Sequence, residues 1–129
     1  MAHFAKVVNG IVTNVIVANQ DFIDEYHSGE TWVQTSYNTS KCIHYAPNSD
    51  VADDGVALRG NYAGIGHIYD STNDLFYPQK KYASWVLNTS IAWWEAPITK
   101  PNDGKEYIWV EDDYQADNTQ GWVEGSIND

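Results

Sequence analysis

Cys42 and His44 stand two residues apart, so in an extended segment both side chains would fall on one face, as a thiol nucleophile and its base do. No third residue at a recognisable spacing nearby would orient the imidazole. Cys42 is also the only cysteine, which leaves no internal disulfide and no cysteine-based zinc site within one chain. The other histidines, His3, His27 and His67, are scattered, and none forms an H-E-x-x-H or comparable ligand pair. Asp70, Thr72 and Asp74 present oxygens at alternate positions. Glu111, Asp112, Asp113, Asp117 and Asn118 crowd a second segment, yet neither run has the central glycine and terminal glutamate of a calcium loop. Asp and Asn are favoured in such places for turn formation. Gly60, Gly64 and Gly66 precede no Lys-Ser/Thr pair, so they do not read as a phosphate cradle, and no G-x-S-x-G nucleophile elbow is present. Asp53 and Asp54 are neighbours on a turn, which does not supply the separation of about 5 to 9 Å that a glycosidase acid and base need. The chemistry-bearing residues thus predict a non-enzyme with no catalytic residues, cofactor or metal.

The aromatic residues offer contact chemistry instead. Trp85, Trp93, Trp94, Trp109 and Trp122 form a row that would either fill a thin core or make a platform for stacking sugars. Trp93 and Trp94 are adjacent, so in a strand they point to opposite faces, and at least one is exposed or covered by a partner. This pair, with Phe4 and Val15 of the first hairpin, forms the candidate interface.

The elements that must position these residues read as an all-β fold, mainly antiparallel hairpins in a sandwich-like meander with one short helix. Asn9-Gly10 separates two β-rich runs, which predicts a hairpin over residues 3–18 with Val8 opposite Ile11, Lys6 opposite Thr13 and Phe4 opposite Val15. Val7, Val12 and Ile16 then fall on the other face. Both faces are apolar, so the hairpin is either sandwiched inside the domain or covered by a neighbouring subunit, the internal placement being favoured. Asn19 caps a helix over 20–26, with Phe22, Ile23 and Tyr26 on one side and Gly29 to end it. Residues 31–37 read as a strand. From 38 to 61 the composition turns to Asn, Ser, Asp, Gly and Pro, a long surface loop where mobility or contact with a partner is expected. Residues 66–124 read as aromatic hairpins: 67–70 with 75–77, 85–87 with 91–94, and 107–110 leading through an acidic turn to 122–124.

With 129 residues, 43% of them hydrophobic, the chain carries enough apolar surface for one core, and a single domain over residues 1–129 is expected. The formal charge of −11 repels phosphate backbones and anionic headgroups, which argues against nucleic acid and bare membrane as partners. No stretch approaches the roughly 18 apolar residues of a membrane span, and Met1 to Lys6 has no secretory pattern.

At Met1 to Val7, Trp32 to Thr39, Leu58 to Gly66, Ser84 to Asn88 and Trp94 to Pro97 the chain resembles a family of small proteins encoded by marine tailed phages, notably cyanophages. Asn38-Thr39-Ser40-Lys41-Cys42 departs from the glycine-bearing loop of that family. The family is regarded as structural or hypothetical phage proteins. The resemblance implies synthesis in a host cytoplasm and a place on the virion, as a capsid decoration or a tail or fibre component, and supplies no catalytic residues. The expected partners are other virion proteins and further copies of the chain. The alternative expectation is a carbohydrate-binding module that recognises host surface glycans through exposed Trp and Tyr rings.

Overall fold

Asn9 (φ 53°) and Gly10 (φ 79°) both take left-handed backbone, closing a two-residue turn between β1 (Ala2–Val8) and β2 (Ile11–Ala18). The computed structural model describes residues 2–27, 29–46, 48–53 and 55–125. Among these the chain is all-β, with eleven strands in mostly antiparallel sheets and two short helices, one more than the sequence suggests.

The register of the first hairpin departs from the expected one. Val8 lies opposite Ile11 and Val7 opposite Val12, but then Lys6 pairs with Asn14 and Phe4 with Ile16. Thr13 is the extra residue of a β-bulge, and its hydroxyl donates to Lys6 O at 3.4 Å. The bulge returns Val15 to the face of Val12. Ala5, Val12, Ala63 and Phe76 form a core there, with Val7, Val15, Val33 and Tyr69 packed against it. The opposite face turns Phe4 and Ala18 toward Ile23, flanked by Ala2, Ile16 and Trp32. Each face of the hairpin therefore contributes to a core within the chain, while Val8 and Val17 stay exposed.

Helix α1 (Gln20–Tyr26) supplies Ile23. Asn19 sits at its N-cap with extended backbone, but its carbonyl, not its side chain, receives the N–H groups of Phe22 and Ile23. The helix stops at His27, before Gly29. Strand β3 (Trp32–Thr35) pairs with β1. After β4 (Thr39–Ser40) and β5 (Ile43–His44), β6 (Ile68–Asp70) and β7 (Leu75–Tyr77) complete a five-stranded sheet in the order β3-β1-β2-β6-β7. β8 (Val86–Asn88) pairs with β9 (Trp93–Glu95), and β10 (Tyr107–Trp109) with β11 (Trp122–Glu124).

The chain divides into two compact units, one of Met1–Gln79 with Asn88–Trp93, the other of Lys80–Leu87 with Trp94–Asp129. The second is held by aromatic rings. Trp109 and Trp122 meet edge to face at 5.2 Å, and Trp85 lies 6.1 Å from Trp109. The acidic run read as a turn is helix α2 (Glu111–Ala116), which has no buried residue. Glu111 begins it and accepts hydrogen bonds from Trp109 Nε1 (3.0 Å), Ser84 Oγ (2.6 Å) and Gln115 Nε2 (2.6 Å). Those bonds, Ser84's first, hold its carboxyl down at about 2. Among the described residues no helix is long and apolar enough to cross a membrane.

Candidate functional site

The segment 38–61, read as surface loop, is built around a small hairpin. Lys41 (φ 49°) and Cys42 (φ 64°) form the two-residue turn between β4 and β5, with Ser40 opposite Ile43 and Thr39 opposite His44. Asn61 anchors that turn. Only 4% exposed, it accepts from Lys41 N at 2.8 Å and donates through Nδ2 to Phe76 O (2.7 Å) and Ala92 O (2.8 Å). Cys42 N donates to Gly60 O (2.7 Å), and Tyr45 N to Asn38 O (2.7 Å). Beyond it, Tyr45 bridges Ala52, and Ala46 N donates to Val51 O (2.9 Å), enclosing a turn in which Asn48 has φ 56°.

Residues 37–40 leading into the first turn, Tyr45 after it, and Asn48, Ser49 and Asp50 of the second line an open hollow of about 460 Å³. Tyr37, more than half exposed, and Tyr45 supply rings to its lining. Tyr37 is braced by the His3 ring at 5.3 Å. The polar lining comes from Asn38, Ser40, Asn48 and Asp50, whose side chains form no hydrogen bond with another described residue. Ser49 is committed, since its Oγ accepts from Val51 N at 3.0 Å. Thr39, also in the lining, is 4% exposed and its hydroxyl has no partner among the described residues. Sequence reading marked this segment for partner contact by composition but did not single out these residues.

The residues that suggested catalysis are largely used in folding. His44 Nδ1 lies 2.6 Å from Asp53 Oδ1, and because a carboxylate only accepts, that nitrogen carries the proton. The orienting group missing from the sequence neighbourhood is thus Asp53, nine residues on. Its carboxyl is held low first by the His44 bond and then by Gly55 N–H. Cys42 does not complete a nucleophilic set: its sulfur lies toward Gly60, and burial pushes its thiol up, keeping it protonated at neutral pH. Asp54 lies outside the described residues. His67 is a partly buried acceptor for Gly64 N (3.1 Å), and burial lowers its pKa.

Asp70 accepts from Thr72 N, Asn73 N, Asn73 Nδ2 and Tyr77 Oη, and Asp74 from Tyr69 Oη and Arg59 Nε. Their oxygens serve the β6–β7 turn. Among the described residues no group of three or more His, Cys, Asp or Glu could hold a metal ion.

The candidate interface residues are dispersed. Phe4 is 3% exposed and Val15 half-buried, both within the first unit's own core. Trp93 and Trp94 are both half-buried, with Lys41 Nζ 4.9 Å from the Trp93 ring centre and Lys80 Nζ 5.7 Å from that of Trp94. A lysine ammonium thus lies within cation–π range of each ring.

Comparison of the chain with models of known protein families, with curated proteins and with solved structures finds no match.

Proposed function

We propose that the protein is a non-enzymatic structural component displayed on the exterior of a tailed-phage particle, decorating the capsid or attached to tail or fibre. The resemblance at Trp32 to Thr39 and Leu58 to Gly66 motivates the phage assignment. The observation that carries a contact role is a set of large apolar side chains left exposed among the described residues. Val17 (56% exposed) and Phe22 (43%) line one shallow depression with Ala18 and Asn19. Burying such side chains against another virion protein, or a second copy of the chain, removes apolar area at about 25 cal/mol per Å². The charge of −11 suits a protein crowded in many copies, because like charges suppress non-specific association. Mass spectrometry of purified particles is expected to find the chain, and limited proteolysis of intact particles to cut it. Its absence from particles would overturn the proposal.

A second reading, a carbohydrate-binding module for host surface glycans, is favoured by the Tyr37–Tyr45 hollow. It does not depend on the tryptophan row: Trp109 is 7% exposed, and the indole N–H groups of Trp109 and Trp122 are bonded to Glu111 and to Ile98 O.

A further inference from the structure

We infer that the hollow between the Thr39–Ser40 strand and the Asn48–Asp50 turn is a binding site for a short neutral saccharide. The inference deepens the glycan-binding reading and does not require particle association.

The lining selects the ligand chemistry. Tyr37 and Tyr45 present flat apolar rings, and Asn38, Asn48 and Asp50 present amides and a carboxylate not spent within the described chain. Rings that cover C–H faces, beside groups that both donate and accept, match a polyhydroxylated ring, apolar on its faces and polar around its rim. A wholly apolar ligand would strand these polar groups at a cost. Among the described lining residues an anion meets no cation and faces Asp50, and it approaches a chain of charge −11. Among the described lining residues a metal ion finds a single carboxylate, little charge to offset the dehydration of a hard cation. The volume, about 460 Å³, suits a small ligand rather than a folded partner.

The site is also preorganised. Asn61 fixes the Lys41 amide, Asn38 O fixes Tyr45 N, and His3 braces the Tyr37 ring, so the backbone and that ring need little ordering on binding.

The test uses the full ¹⁵N-labelled chain. Neutral trisaccharides (maltotriose, cellotriose, mannotriose) and trigalacturonic acid as charged comparator are titrated while amide resonances are followed. At least one neutral sugar is expected to give saturable shifts centred on residues 37–50, and the acidic one weaker binding. Tyr37→Ala removes an exposed ring. Asn48→Gly removes the amide while keeping a residue at home at positive φ, so the turn survives. Each is expected to weaken binding about tenfold. No shift with any neutral sugar at millimolar concentration, or unchanged affinity in both variants, overturns the site. Sugar-induced shifts centred on Trp85, Trp109 and Trp122 overturn it too, while leaving glycan binding by the protein intact.

Discussion

Asn61→Ala is the substitution that tests the architecture most directly. Its amide donates to Phe76 O and Ala92 O and accepts from Lys41 N, at 2.7 to 2.8 Å, from a side chain only 4% exposed. Each bond contributes about 1 kcal/mol net, and each partner left buried without a replacement adds further cost, so alanine should destabilise by about 3 to 5 kcal/mol. Against a typical total of about 5 to 15 kcal/mol, that is a large part of the stability. Asn61→Asp sharpens the test, because it keeps the acceptor for Lys41 N but sets a carboxylate against two carbonyl oxygens. It should be at least as damaging as alanine. Urea unfolding followed by far-ultraviolet circular dichroism and tryptophan fluorescence measures both. An alanine variant within about 1 kcal/mol of the parent, or an aspartate variant more stable than alanine, would refute the role given to the two donated bonds.

Two further outcomes are expected. Glu111, held at about 2 against an ordinary 4.5, has a depressed folded pKa, so its contribution is present above pH 4.5 and lost as pH falls through 2; Glu111→Gln should be less stable at neutral pH and lose less on acidification, read by tryptophan fluorescence. Gly60→Ala places a methyl 2.6 Å from Ala92 Cβ and 3.0 Å from Leu75 Cδ2 at φ 80°, and should destabilise by about 2 to 4 kcal/mol in urea unfolding, an unchanged midpoint being the contrary result.

The all-β class and the pairing partners of the hairpins were legible because their signals are local. Asn9-Gly10 names its own turn, and the helix over 20–26 follows from the chain between Asn19 and Gly29. The register was not legible, because the Thr13 bulge is favoured by what lies across the sheet: it lets Val12 and Val15, three apart, share the face that packs on Ala63 and Phe76. Asn61 was hidden for the same reason. Its type reads as a turn former, while its three partners lie 15, 20 and 31 residues away. Helix α2 was missed because it buries nothing, so no apolar periodicity marks it; Glu111, bonded to Trp109 and Ser84, ties its start to the aromatic cluster.

The Lys41–Cys42 turn joins these points. Two L-residues in left-handed backbone cost about 1 to 2 kcal/mol each, where Asn-Gly would adopt the same turn with little strain. The chain retains them and offsets the cost with the Asn61–Lys41 and Cys42–Gly60 hydrogen bonds, which tie the turn to the core below. A further left-handed residue, Asn48, lines the nearby hollow. The Lys41 side chain leaves the turn to lie over the Trp93 ring, a contact that an Asn-Gly turn would lose. Strain that is kept and compensated locally, one residue from Ser40 in the lining of the hollow, supports the proposal of a preformed contact site there.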